Sequence, residues 1–255
     1  MIKVGTSTFN QKRITIGTTE IAKVYIGTSL VWTKQSYPVV PSGYGKLYNW
    51  YAANDPRNIA ALGWHVPSPS DWAILRNVAI SQSGWANCEA GPLVDPTKWS
   101  AGSWLNTHGT NSTGFSALPS GYNFGSGGCS GFGVTCYIWL TGAENGTWPY
   151  YVNMSVNNSY PNAEVWSNTY KYMGATIRLV KDSTTKSNGQ TGTYTGNDGK
   201  TYNTICIGTQ EWLSVNLRET KYRNLSDIPN VTDPSSWSAL TSGAYSWYDN
   251  NPGYE

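Results

Sequence analysis

Residues 114–182 read GFSALPSGYNFGSGGCSGFGVTCYIWLTGAENGTWPYYVNMSVNNSYPNAEVWSNTYKYMGATIRLVKD. The two ends, GFSALPSGY and GATIRLVKD, have the composition of packed structure. The middle is dominated by Asn, Ser, Gly, Tyr and Trp and carries almost no charge. Tyr and Trp give large contact area at low entropic cost, and Ser, Gly and Asn give adaptable hydrogen bonding. This vocabulary predicts a binding surface carried on a rigid scaffold.

The rest of the composition agrees. The 255 residues suffice for one large or two small domains with a proper core. Charged residues make up 13% and the formal net charge is +2, which leaves no electrostatic footprint for nucleic acid and no polybasic membrane patch. There are 13 Trp and 18 Tyr against 4 Phe. Core packing accounts for many of these rings, but so strong a bias toward rings with a polar end is the mark of interfaces. The N-terminus lacks an apolar signal-peptide core, and no run of apolar residues is long enough to span a membrane.

Outward from the opening stretch, short signals set the architecture. Val4-Gly5-Thr6, Ile16-Gly17-Thr18 and Ile26-Gly27-Thr28 recur at about ten-residue spacing between alternating segments, which predicts β-hairpins over 1–33. Residues 34–43 form a linker with two prolines. Tyr44 to Tyr51 reads as an aromatic strand. Ser68, Pro69 and Asp71 make the start of a helix whose apolar face is Trp72, Leu75 and Val78–Ala79, ending before Ser83-Gly84. Residues 85–113 read as long ordered loops pinned by Trp85, Trp99 and Trp104. Ala175 to Val180 reads as a buried strand, and 183–193 as a flexible linker. Lys200 to Trp212 reads as strand, turn and strand. Asp233 caps a second short helix with Pro234 at its first position.

At this point the motifs carry a resemblance. LYNWYA (47–52), GWHVPSPSDW (63–72), GFSALPSGY (114–122) and IRLVKD (177–182) resemble the second half of the Fibrobacter succinogenes major paralogous domain family. DGKTYNTICIGTQEWLSVNLRETKY (198–222), IPNVTDPSSWSAL (228–240) and GAYSWYDNNP (243–252) resemble its first half. The family is similar to C-type lectin folds and to the formylglycine-generating enzyme fold. The resemblance therefore implies an α+β, loop-rich, C-type-lectin-like domain with two short helices, preceded by short β-hairpin repeats. The halves stand in reversed order, which implies a circular permutation over 44–255: second half 44–182, linker 183–193, first half 194–255. A tandem array cut within a repeat, or 194–255 completing a neighbouring subunit, are the competing arrangements. Residues 1–33 resemble N-terminal strand repeats of tail proteins from phages of gut Bacteroidetes and imply an attachment or oligomerisation segment.

Lectin-like domains of this type display regions diversified by retroelements, where adenine-directed mutation turns Asn codons into Tyr, Ser, Gly, Cys, Phe and Asp. The resemblance thus directs attention to two clusters. The first is Tyr122, Asn123, Phe124, Phe132 and Tyr137, with Cys136 beside it. The second is Trp148, Tyr150, Tyr151, Asn153, Asn157, Tyr160, Asn162, Trp166 and Asn168. Both are expected to be ligand-binding, although an alternating strand over 150–156 would send half its side chains into a core, as expected for Ile138 and Leu140.

Catalytic and metal sites are not expected. The four cysteines and two histidines lack zinc spacing, and the asparagines of 153–158 have too few carboxylates nearby for calcium. The Gly-rich stretch at 125–133 has no phosphate-loop ending. His65 precedes a helix cap and reads as a hydrogen-bonded structural residue. His108 has no evident acid or nucleophile partner. Cys129 and Cys136 either pair in an oxidising medium or remain two small unpaired residues. The expectation is a phage or prophage tail adhesin without enzyme activity or cofactor. It would bind a bacterial surface protein or glycan, join other tail proteins through 1–33, and form a homo-oligomer, with a trimer possible. It would reside in the virion after assembly in the bacterial cytoplasm. A bacterial cell-surface lectin or adhesin is the alternative, and a formylglycine-generating-type enzyme the third reading.

Overall fold

The computed structural model describes residues 14–16, 19–21, 23–26, 29–33, 43–84, 88–125, 128–156 and 162–255. The chain divides into two compact units, 1–40 and 41–255.

In the first unit, β1 (Ile14–Ile16) pairs antiparallel with β2 (Thr19–Ile21), and β3 (Lys23–Ile26) with β4 (Ser29–Thr33). A Gly-Thr pair separates the strands of each hairpin in sequence. The repeat at 4–6 and the linker at 34–42 lie outside the described residues.

The second unit opens with a departure from expectation. Only β5 (Leu47–Tyr48) of the 44–51 segment is a strand. Asn49 then accepts a hydrogen bond from the Ala52 amide and caps helix α1 (Trp50–Ala53). Such a cap satisfies one of the unpaired amides at a helix start. After β6 (Trp64–His65) comes α2 (Pro69–Gln82). Its start is a full capping box: Ser68 Oγ accepts from the Asp71 amide, and the Asp71 carboxylate accepts from the Ser68 amide at 2.8 Å. Trp72, Leu75 and Ala79 form its buried face. The Trp72 indole finds an acceptor at Ala163 O, 2.6 Å away, so its polar end is satisfied in the core.

Residues 88–113 are less loop-like than their composition predicts. Ser103 caps α3 (Trp104–His108), and 3-10 turns occupy Gly91–Leu93 and Pro96–Lys98. Trp99 is buried and Trp104 partly so, while Trp85 lies outside the described residues.

The central sheet is built from β7 (Ser120–Asn123), β8 (Cys129–Phe132), β9 (Thr135–Glu144), β10 (Trp148–Ser155) and β11 (Val165–Trp166), in the order β11-β10-β9-β7-β8. Only the β7–β9 pairing, Gly121 beside Cys136, is parallel. Gly121 has φ +64°, and a Cβ there would lie 2.5 Å from Ser130 O, so the close approach of β8 requires glycine.

A second sheet joins distant parts of the sequence. Its strands are β12 (Val180–Lys181), β13 (Thr191–Thr195), β14 (Thr201–Ile207) and β15 (Gln210–Leu213), ordered β13-β14-β15-β12-β6. Val180 faces both Trp212 and His65. After α4 (Pro234–Ser238), capped by Asp233 as expected, β16 (Tyr245–Ser246) pairs with β5. Residues 194–255 therefore complete the core of their own chain. Trp212 packs edge-on against Trp72 and Phe115, with centroids at 6.0 and 5.8 Å, and Trp247 joins the core around Tyr48 and Trp139.

The segment 175–180 is buried, as expected, but is not one regular strand. It changes partner along its length. Ala175 N donates to Tyr48 O, Thr176 N to Tyr137 O, and Ile177 O and Leu179 O accept from Leu217 N and Leu213 N. At its centre Arg178 is fully buried. Its guanidinium donates to Asn216 Oδ1 at 2.7 Å, Phe115 O at 2.7 Å, Leu213 O at 3.0 Å and Ser116 O at 2.8 Å, and lies over the Phe115 ring. Burial lowers its pKa to about 10, so it remains a cation at neutral pH.

The 183–193 segment also differs from the flexible linker its composition predicts. Glu211 is fully buried and needs partners. Lys186 and Thr184 supply two of them, at 2.8 and 2.9 Å, and Lys181 and Thr204 the others. Burial alone would raise this carboxyl, but the hydrogen bonds from Lys186, Thr204, Thr184 and Lys181 outweigh it and hold it at about 2.

Two tests follow from these buried charges. Arg178→Met leaves four acceptors without a donor and is expected to cost about 3 kcal/mol or more in urea unfolding, with Arg178→Lys recovering only part. Glu219 is fully buried, and its Oε1 has no partner. Burial, and then the Asp198 charge, push its pKa from 4.5 up to about 8. The folded state thus holds this proton more tightly than the unfolded chain. The stability it contributes is present below pH 4.5 and is lost as pH rises toward 8. Glu219→Gln should flatten the fall in melting temperature across that window; an unchanged pH profile would refute the assignment.

Candidate ligand-binding surface

The β9–β10 hairpin and the segment 165–173 carry most of the aromatic residues of the second cluster. Of the first, Tyr122 is on β7, Phe124 directly follows it, Phe132 is on β8 and Tyr137 is on β9. The structure links the two clusters into one ribbon of rings. At its outer end Trp148 and Tyr170 are exposed, at 41% and 49%. Trp148 lies 6.1 Å from Tyr170, which stacks on Tyr172 at 5.1 Å with planes 5° apart. Phe124 stands edge-on to both tyrosines. Tyr122 follows at 6.1 Å, then Tyr137 at 5.0 Å, and Tyr137 stacks on Tyr151 at 5.4 Å. Tyr151 meets Trp139, which is wholly inside the core.

The ribbon therefore runs from solvent into the core, and its members differ accordingly. Tyr151 is buried; its hydroxyl donates to Asn168, and burial, then Tyr137, pushes its pKa up to about 12. Burial also raises Tyr137. Trp166 is exposed on edge strand β11, opposite Tyr151. Asn168 is exposed.

Other sequence-predicted positions serve the scaffold. Asn123 is 7% exposed, and its side chain accepts from Gly125 N and donates to Ser246 Oγ, which leaves it no free group for a ligand. Phe132 sits apart from the ribbon, packed against Tyr44, Tyr248 and Tyr254 with centroids at 4.7, 5.1 and 4.7 Å. Tyr150 is half-buried against the core that contains Trp72, on the other side of the sheet from Tyr151. Asn153 donates to Thr135 Oγ1 at 2.9 Å. Asn162 is half-buried. Asn157 and Tyr160 lie outside the described residues.

Three residues of this surface were absent from the sequence expectation. Tyr170 and Tyr172 lie in a turn closed by Met173 N donating to Tyr170 O at 3.0 Å, and the Tyr-Lys-Tyr triplet was the available signal. Trp50 is the third. Its Nε1 donates to Gly142 O at 3.2 Å, Asn54 accepts from Gly142 N at 2.9 Å, and Lys171 lies 4.7 Å above its ring while donating to Gly146 O. These bonds fix the β9–β10 turn beside the ribbon.

The thiol and imidazole chemistry is quiet. The four cysteines are free thiols. Burial pushes Cys129 up to about 11 and Cys136 up to about 12, so both are protonated at neutral pH and poor nucleophiles. His65 is held between Asp182 at 2.6 Å and Asp71 at 3.3 Å, the hydrogen-bonded role expected of it. His108 ends α3 rather than lying in a loop, and stacks on Trp104 at 4.8 Å. Among the described residues, no group of His, Cys, Asp and Glu is arranged to hold a metal ion. No described helix is long and apolar enough to cross a membrane.

The chain belongs to the Fibrobacter succinogenes major domain family, whose model matches residues 9–181. That match takes in the N-terminal hairpins and ends on β12; residues 194–255, which also resemble the family in sequence, lie beyond it. No curated protein and no solved structure matches the chain.

The ribbon separates surface from core in a way that mutation can read. Trp148→Ala and Tyr170→Ala should change unfolding free energy by less than about 1 kcal/mol. Tyr151→Ala should cost about 3 kcal/mol or more, because it empties a packed site. Equal losses at all three positions would place the outer rings in the core.

Proposed function

We propose that this protein is a phage or prophage tail adhesin that grips a bacterial surface protein or glycan through the aromatic ribbon. The observation that carries this reading is the exposed outer end, Trp148 and Tyr170, together with exposed Trp166 on edge strand β11, mounted on a sheet whose inner rings are locked by packing and hydrogen bonds. Rigid, amphipathic rings lose little entropy on binding. The cationic and anionic groups beside them, Lys171 and Glu144, are engaged with Gly146 O and Ser167. A partner would accordingly be recognised by shape and stacking more than by charge.

The domain is read as C-type-lectin-like and circularly permuted. Three features support the permutation. Gly43 N donates to Glu255 O at 3.1 Å and Tyr44 N to Tyr254 O at 2.8 Å, so residues 43–44 and 254–255 adjoin. Segment 183–193 joins β12 to β13 within one sheet. Trp212 and Trp247 lie in the cores formed with 44–182. Retroelement diversification of 122–172, attachment of 1–33 to other tail proteins, a homo-oligomeric assembly such as a trimer, and residence in the virion belong to the same reading.

Purified protein binding to intact bacterial cells tests it. Adsorption to a susceptible strain should vanish for Trp148→Ala and Tyr170→Ala and persist for an exposed change away from the ribbon, Leu62→Ala. It should also weaken little as salt rises, since uncharged contacts are not screened. Undiminished adsorption by both ribbon variants would sink the proposal.

A further inference from the structure

The β14–β15 hairpin inside the second sheet has close copies in the first unit. Residues 14–21 read Ile-Thr-Ile-Gly-Thr-Thr-Glu-Ile, and residues 205–212 read Ile-Cys-Ile-Gly-Thr-Gln-Glu-Trp. The strand registers coincide position for position. Ile14 faces Ile21, Thr15 faces Glu20 and Ile16 faces Thr19. Likewise Ile205 faces Trp212, Cys206 faces Glu211 and Ile207 faces Gln210. Glu20 thus takes the register position of Glu211. The β3–β4 hairpin repeats the pattern with Ile26 facing Ser29 across Gly-Thr; after a register shift Val24 faces Trp32, as Ile205 faces Trp212. One copy keeps the glutamate, the other the tryptophan.

In the second unit this hairpin has a defined use. Strand β15 pairs with β12 through Trp212 and Val180, Trp212 is buried between Trp72 and Phe115, and Glu211 is held by Lys181 beside Val180. The family match runs from residue 9 to residue 181, so it contains the hairpin copies and the receiving edge in that order. Yet the edge is already filled by 205–212, which lies outside the match. Neither five-stranded sheet of the second unit uses a strand from the copies at 14–33.

We propose that these hairpins dock on a second polypeptide: a domain of this same family whose β12-type edge lacks its own hairpin. Donation of backbone hydrogen bonds to an open sheet edge is an established mode of assembly, with side-chain positions supplying specificity. Here the specificity is charge complementarity, a lysine at the acceptor position of Lys181 opposite Glu20. The acceptor edge of the intact chain is occupied, so intact copies do not associate through it. The pairing is independent of what the aromatic ribbon binds.

The test uses two full-length chains. The acceptor carries Val180→Cys, with 14–33 and 205–212 both replaced by Gly/Ser sequence of equal length. The donor is otherwise the natural chain with Ile21→Cys. Co-expression should yield a one-to-one complex cross-linked by a disulfide between the introduced thiols, and the complex should be lost when the donor's residues 14–33 are replaced. No complex, or a complex indifferent to that replacement, overturns the proposal. A transplant covers the case in which the bare acceptor fails to fold: a full chain with Cys206→Thr, Gln210→Thr and Trp212→Ile, which writes the 14–21 sequence into residues 205–212. It should unfold cooperatively at a lowered melting temperature, and adding Glu211→Ala should abolish the transition. Loss of the cooperative transition in the triple variant, or indifference to Glu211→Ala, shows that the copy does not fit the edge.

Discussion

A guanidinium stripped of water and given no carboxylate must be surrounded by oriented dipoles, and Arg178 is. Its acceptors come from the 115–116 turn, from the end of β15 and from Asn216. Asn216 is itself fixed by donating to Tyr44 O and Ser120 Oγ. The charge therefore requires three separate stretches of chain to be in place at once. The seam at 175–180 supplies the same coupling in the backbone, since Ala175 bonds β5, Thr176 bonds β9, and Ile177 and Leu179 bond the 213–217 stretch. Neither the part before residue 182 nor the part after 194 can satisfy this centre alone, which makes their association cooperative.

The aromatic ribbon is anchored to that centre. Thr176 pairs with Tyr137 and Trp139 on β9, so the seam holds the strand that bears the inner rings. Trp139 donates to Tyr48 O, tying the ribbon's root to β5. From there each ring rests on the next, and exposure increases toward Trp148 and Tyr170. A surface so mounted can change its outermost side chains at little cost to the fold, because the interactions that determine stability lie several rings deeper. The first cluster is divided by the same logic: Tyr122 and Phe124 face the ribbon, whereas Asn123 between them points into the core.

Local chemistry was legible in the sequence, and long-range commitments were not. Ser68, Pro69 and Asp71 announced α2 because a capping box is complete within four residues. The Gly-Thr repeats announced the hairpins for the same reason. The segment 44–51 reads as a strand on its aromatic content, although Asn49 carries the cap signal for α1. Ser103 gave a similar unread signal for α3. The 183–193 composition looks like a linker, but its threonine and lysine are recruited by Glu211, a residue distant in sequence. At the candidate site, residue vocabulary located the right strands and could not sort their faces. Tyr150 and Tyr151 are neighbours of one type, yet they project to opposite sides of the sheet, and a bulge between Pro149 and Tyr151 shifts the alternation. Phe132 was drawn away by Tyr44, Tyr248 and Tyr254, partners that no local pattern reveals.

Those same rings seal the place where Gly43 and Glu255 meet, beside the Lys46–Glu255 ion pair. Between Gly43 and Glu255 the chain thus travels through both sheets and comes back to within one hydrogen bond of where it set out, as a surface loop does on a smaller scale.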